Sequence, residues 1–193
     1  MQHSRPGSAR KSDPPLWVKP QLTELVKQPT DGPDWFHEIK FDGYRMHSRI
    51  DDGGDVRLLT RTGLDWTRKY PPIAAALKNL PVGNAYLDGE LCGMRPDGVT
   101  SFSMIQAASD TGNADALVFF LFDLLFLDGE NLTGLPLRER KARLATALSG
   151  LGPPLQYTDH QVGRGPTFYA EACKLGLEGI VSKSAGAPYV SGN

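Results

Sequence analysis

Apolar and polar residues alternate along Trp35–Arg45. With a period of two, Trp35, His37, Ile39 and Phe41 fall on one side and Glu38, Lys40 and Asp42 on the other. The spacing predicts a strand that buries its largely apolar face, presents a lysine between carboxylates on the opposite face, and continues through Tyr44 to Ile50, with Asp42-Gly43 a point where it could end or bend. Asp51-Asp52-Gly53-Gly54 then signals a tight turn, and residues 55–61 return as the second strand of a hairpin. Ile73, Ala76, Leu77 and Leu80 recur at helical spacing and predict a helix over 71–80, with proline tolerated in its first turn. A strand over 84–93 carries Asp88 and Glu90 on either side of Gly89, and a short helix is expected over 102–108. The apolar run 117–127, interrupted by Asp123, reads as a buried strand, since it is well short of the roughly 20 residues that cross a membrane. Two amphipathic helices follow, over 136–148 and 167–175. In the first, Leu137, Leu144 and Leu148 are assigned to the buried side and the run Arg138–Lys141 to the solvated one. A strand over 177–183 closes the pattern.

Interspersed strands and helices with a clear hairpin point to an α+β fold with largely antiparallel sheets rather than a doubly wound parallel one. No Gly-x-Gly-x-x-Gly or Walker-type phosphate loop is present. A length of 193 residues suits one domain, placed at 16–193; residues 1–15 are polar and proline-bearing and read as a disordered tail. The net charge of −1 does not advertise a nucleic-acid partner, although a local patch can bind phosphate within a neutral whole. Cys92 and Cys173 have no paired spacing and suit a reduced, cytoplasmic protein. The four histidines lack metal-ligand spacing, and the N-terminus lacks the apolar core of a signal peptide.

Candidate chemistry gathers at strand ends: Lys40-x-Asp42-Gly43-x-Arg45, Thr60-Arg61-x-Gly63, Asp88-Gly89-Glu90 and Glu178-Gly179-x-x-x-Lys183, with Phe122-Asp123 inside the buried run. A strand-end lysine among counter-charges is a candidate nucleophile. Free lysine has a pKa of about 10.4, so it attacks only where burial or neighbouring positive charge, such as Arg45, favours the amine. Glu90 and Glu178, as paired carboxylates on neighbouring strands, suit a hard cation bound through oxygen. From the residues alone, Phe122 reads equally as plain core, Asp88 as a group that caps or orients backbone, and Lys183 as a strand-end charge.

The order and spacing of these clusters, with the flanking runs His37–Arg45, Tyr86–Gly93 and Leu177–Lys183, resemble the adenylation domain of ATP-dependent DNA ligases, in particular the bacterial ligase-D type of non-homologous end joining. The resemblance spans about Leu16 to Asn193. It implies a covalent nucleotidyltransferase (ATP-grasp-like) fold of two largely antiparallel sheets with flanking helices. It further implies that Lys40 takes AMP from ATP, passes it to the 5′-phosphate of a nick, and that the 3′-hydroxyl then displaces it. By the same resemblance Glu38 meets the adenine amino group and Phe122 stacks on the ring. Arg45 and Arg61 hold ribose or phosphates, and Lys183 approaches the α-phosphate or adenine pocket. Glu90 and Glu178 attend Mg²⁺ (or Mn²⁺), and Glu90 also touches the ribose. The implied partners are nicked or broken double-stranded DNA and end-joining proteins, in the bacterial cytoplasm at the nucleoid, with no membrane. The family pattern continues past Tyr189-Val190-Ser191-Gly192 into a Trp-x-Lys-x-Lys strand and an oligonucleotide-binding barrel. Here the sequence stops at Asn193, and Ser184 stands where close relatives carry arginine. Loss of such charge-neutralising donors typically costs about 10²- to 10³-fold, which implies weak or no sealing by this chain alone. An RNA ligase, an mRNA-capping guanylyltransferase and a non-catalytic nucleotide- or DNA-binding remnant are the alternatives.

Overall fold

The computed structural model describes residues 12–95, 98–111 and 116–192. In chain order its elements are β1 (Trp35–Ile39), β2 (Tyr44–Ile50), β3 (Val56–Thr60), α1 (Pro71–Lys78), β4 (Ala85–Met94), β5 (Thr100–Ser101), α2 (Phe102–Thr111), β6 (Leu117–Leu127), β7 (Glu130–Asn131), α3 (Leu137–Ala147), β8 (Leu155–Tyr157), β9 (Gln161–Val162), α4 (Gly165–Lys174) and β10 (Ile180–Ser184). They form two sheets. The smaller has the order β10-β1-β9 and is antiparallel throughout. The larger runs β3-β2-β4-β6-β7, with β5 on β4 and β8 on β6; only the β6–β8 pairing is parallel. The expected α+β class, the hairpin and the buried strand 117–127 are all present.

One expectation is overturned at the centre of the molecule. The stretch from Trp35 to Ile50 is not one strand but two, in different sheets, joined by Lys40-Phe41-Asp42-Gly43. Gly43 permits the crossover because a Cβ there would lie 2.3 Å from the Leu91 carbonyl oxygen. Phe41 does not share a face with Trp35, His37 and Ile39. It stacks on Phe120 at 4.0 Å beside Cys92 and Val118. Asp42 accepts a hydrogen bond from the Phe102 amide at the start of α2 (3.2 Å), so it satisfies one of the helix's orphan donors. β1 itself is covered on both faces: Phe36 packs with Leu137 and Ala185, and the fully buried His37 lies against Gly165 of α4.

The larger sheet obeys the period-two rule. Met46 and Ile50 of β2, Leu58 of β3, and Ala85, Leu87 and Leu91 of β4 join Ile73 and Leu77 of α1 in the main core. Each such buried aliphatic chain contributes about 1.5–3 kcal/mol. The alternate residues, Arg45, His47, Arg49, Tyr86, Asp88 and Glu90, therefore line the other face. One face of the sheet holds the domain together and the other carries its polar chemistry.

Of the expected disordered tail, residues 1–11 lie outside the described residues. Ser12–Pro15 are held against the sheet: Asn84 donates to the Ser12 carbonyl (3.1 Å) and Arg49 to that of Pro15 (3.1 Å). Composition could not signal this, because the contacts are made by backbone carbonyls that every residue owns.

Candidate active site

Lys40 lies just past β1. Its amide donates to the Gly179 carbonyl (2.9 Å), and its ammonium forms an ion pair with Glu178, the residue two before β10. Both side chains are nearly half exposed, at 46% and 43%. Two residues earlier, Glu38 is only 2% exposed and carries two ammonium groups. Lys183 of β10 donates to one oxygen and Lys141 of α3 to the other, both at 2.5 Å. Burial opposes ionisation of Glu38, but Lys183 and Lys141 outweigh it and hold its pKa below the usual glutamate value. Burial in turn pulls the pKa of Lys141 down, with Glu38 opposing.

On the facing sheet, Asp88 is completely buried and acts as a hub. Nε and Nη2 of Arg45 donate to its two oxygens at 2.6 and 2.7 Å, the Tyr189 hydroxyl donates at 3.1 Å, and Nε2 of His47 lies 3.1 Å away. Burial alone would favour the neutral acid, but Arg45 and then His47 hold this carboxyl far below its ordinary range. The bidentate clamp leaves Nη1 of Arg45 unclaimed by Asp88. Glu90, paired in register with Arg45, has no such clamp. Burial pushes its carboxyl up to about 7; Arg45 and Lys40 oppose the shift, and the charges of Asp88 and Glu178 add to it.

Phe122 reaches this face through an irregularity in β6. The β4–β6 register passes from Asp88↔Asp123 to Gly89↔Leu121, which leaves Phe122 as an extra, unpaired residue of the kind that re-aims a side chain. Gly89 allows the strands to close there, since a Cβ would fall 2.5 Å from the Phe120 carbonyl oxygen. The Phe122 ring is 9% exposed and is covered by cations, with the Lys183 ammonium 4.3 Å and the Arg45 guanidinium 4.6 Å from its centroid.

Of the residues singled out in the sequence, Lys40, Glu178, Glu38, Lys183, Phe122, Arg45 and Glu90 thus fall into one linked set drawn from both sheets. Arg61 does not join it: its side chain is exposed in the turn after β3 and forms no hydrogen bond or ion pair among the described residues. The solvated-face assignment of Arg138–Lys141 is wrong for its second half. Arg140 and Lys141 are 2% and 1% exposed, and Arg140 forks onto Asp123 at 2.8 and 2.9 Å. Helical spacing held the signal, since Lys141 lies four residues after Leu137 and three before Leu144, on the same stripe as both. Its charge concealed it. No group of three or more His, Cys, Asp or Glu residues is arranged to hold a metal ion among the described residues. A pair remains, Glu90 and Glu178, whose charges act on each other; they do not lie on neighbouring strands as expected but come from the two different sheets, Glu90 on β4 and Glu178 just before β10.

A profile of the ATP dependent DNA ligase domain matches residues 18–193. The chain belongs to the ATP-dependent DNA ligase family. It is 42% identical over 185 residues to the multifunctional non-homologous end joining protein LigD of Pseudomonas aeruginosa, an alignment covering 95% of this chain and 22% of that protein. The ligase domain of Mycobacterium tuberculosis LigD superimposes with a TM-score of 0.78 at 31% identity, over 91% of this chain and 56% of the other. A mycobacterial DNA ligase D complexed with ATP and MES superimposes with a TM-score of 0.69 at 32% identity, over 86% and 55%. The chain therefore spans about a fifth of the length of the curated LigD proteins it matches and a little over half of these solved chains. The two-sheet architecture is that of the nucleotidyltransferase domain of this family.

Proposed function

We propose that this chain is an adenylating unit that acts in DNA nick sealing, with Lys40 as the AMP acceptor. The neutral amine of Lys40 attacks the α-phosphorus of ATP. The bond to the bridging oxygen of the β-phosphate breaks, pyrophosphate leaves, and the amine's proton passes to solvent, giving a lysine–AMP phosphoramidate. An oxygen of a DNA 5′-phosphate then attacks the same phosphorus, the P–N bond breaks, and the Lys40 amine leaves with a proton taken back from solvent. The 3′-hydroxyl finally attacks the 5′-phosphorus, loses its proton and expels AMP. Each step is a displacement at phosphorus, so positioning and charge neutralisation supply most of the catalysis.

The single observation that carries this reading is the placement of Lys40: nearly half exposed at the end of the smaller sheet's central strand, paired among the described residues with Glu178 alone, beside a set of buried charges drawn from both sheets. Arg45, fixed by Asp88, is suited to a ribose or phosphate oxygen through its remaining nitrogen. Phe122 is suited to the adenine ring once Lys183 turns from it toward phosphate, and Glu38 to the adenine 6-amino group. Arg61, exposed and apart from this set, is suited to ribose, to the ATP phosphates or to the nick's 5′-phosphate. Glu90 and Glu178 are suited to hold Mg²⁺ (or Mn²⁺), whose double charge would neutralise phosphate oxygens during attack. The DNA substrate, end-joining partners and a bacterial cytoplasmic setting at the nucleoid belong to this proposal. No helix among the described residues is long and apolar enough to cross a membrane.

Incubation with α-labelled ATP and Mg²⁺ tests the reading. Acid-labile, base-stable label on the protein is expected, followed by transfer to nicked duplex DNA. Label from GTP alone would redirect the assignment to a capping-type enzyme, and no label from either nucleotide would overturn catalysis by this chain.

A further inference from the structure

Lys141 has no counterpart among the site residues that the sequence pattern singled out, yet it makes one of the most buried charge contacts in the molecule. Its side chain is 1% exposed. Nζ donates to Glu38 Oε1 (2.5 Å) and to the Thr158 carbonyl (2.9 Å), and it lies 4.7 Å from the centroid of the Tyr157 ring. Lys183, on the other oxygen of Glu38, is different: 23% of its side chain is exposed and it rests on the ring of Phe122. A triphosphate entering beside Lys40 attracts Lys183 but cannot draw out Lys141, which three partners hold from behind.

We propose that Lys141 is a positioning residue that sets the base preference of the nucleotide site, by keeping Glu38 an ionised, acceptor-only group. The proposal rests on the reading of Glu38 as the residue that meets the base. A buried carboxylate without a cation neutralises itself by taking a proton, and a protonated carboxyl both donates and accepts. It would then pair with the 6-oxo group of guanine as readily as with the 6-amino group of adenine. Ionised, it accepts from the amino group and repels the oxo group. Once Lys183 turns to phosphate, Lys141 is the cation that remains on Glu38.

The test is calorimetric titration of the chain with ATP, with GTP, and with the triphosphate of purine riboside, which has no 6-substituent. The wild-type chain should favour ATP over each of the others by about tenfold or more, the scale of a hydrogen bond to a charged group. Lys141→Met should compress both preferences to within about threefold, Lys141→Arg should restore most of them, and Lys183→Met should weaken all three nucleotides alike while keeping the preference. Thermal melting confirms that each variant is folded, and Lys141→Gln serves if Lys141→Met is not. A folded Lys141→Met chain with the wild-type preference overturns the proposal. Glu38→Gln separates the causes. If it abolishes the preference and Lys141→Met does not, only the role of Lys141 falls; if neither does, Glu38 is not the base reader and both fall. Absence of ATP binding by the wild-type chain also overturns both. Normal binding without label on Lys40 leaves this proposal standing and removes the catalytic one.

Discussion

Glu38 and Lys40 are two residues apart and each is held by an oppositely charged side chain, but their surroundings differ. Glu38 sits in the interior, its two oxygens satisfied by Lys141 and Lys183 at 2.5 Å. Lys40 sits at the rim, and its partner Glu178 shares its exposure to water. An ion pair in water contributes little and exchanges freely, whereas a buried carboxylate that has lost all its cations is stranded, so at least one of the two on Glu38 must stay. The difference suits different tasks. A nucleophile must release its partner to react, and a recognition group must keep its charge and orientation. The same contrast recurs on the larger sheet, where Asp88 is clamped by Arg45 and Tyr189 while Glu90 lacks a clamp and has its pKa raised to about 7 by burial.

The largest effect that would sharpen this contrast is chemical. Lys40→Ala should reduce ATP-dependent self-labelling by at least about a thousandfold, as expected for loss of a nucleophile. Urea unfolding should at the same time register a change of less than about 1 kcal/mol, because the pair removed is exposed. Asp88→Asn should do the reverse in stability. With the guanidinium of Arg45, three-quarters buried, left without its counter-charge, unfolding measurements should show a loss of about 1–3 kcal/mol. An equal stability loss for the two substitutions would break the distinction between rim and interior.

The Glu90 prediction concerns pH. Its folded pKa of about 7 lies above the ordinary glutamate value of 4.5, so between these values the folded state holds a proton that the unfolded state has lost. Stability therefore falls as pH rises through this window, and the cost is complete above about pH 7, up to about 3 kcal/mol. Glu90→Gln should melt at the same temperature as wild type near pH 4.5 and at a higher one at pH 8. Mg²⁺ should raise the wild-type melting temperature at pH 8 more than that of Glu90→Gln. Equal pH profiles for the two proteins would contradict the assignment. The smallest stability effect belongs to Glu178→Gln, within about 1 kcal/mol of wild type by urea unfolding. Its self-labelling should nevertheless fall and require more Mg²⁺ to recover.

Most of the fold was legible because its signals are local. The period-two alternation of β2 and β4, the Asp51–Gly54 turn and the apolar run of β6 each predict what forms. The crossover at Lys40–Gly43 was half legible. Asp42-Gly43 marks a possible end or bend of the strand, but the change of sheet follows only from the approach of Gly43 to the Leu91 carbonyl, a contact distant in sequence. Five of the site residues, Lys40, Arg45, Glu90, Glu178 and Lys183, were visible in strand-end polar clusters, whereas Glu38 and Phe122 took their roles from the family resemblance. Lys141 escaped because a buried lysine on a helix stripe looks like a surface one until its partner, 103 positions away, is known. Arg61 shows the converse, a motif residue whose neighbours within the chain give it no place in the linked set.

The most direct measurement is to incubate the chain with ATP and Mg²⁺, digest it under alkaline conditions that preserve a phosphoramidate, and map the AMP adduct by mass spectrometry. A single adduct, on Lys40, is expected. An adduct on Lys141 or Lys183, or unmodified Lys40 in a chain that binds ATP, would contradict it.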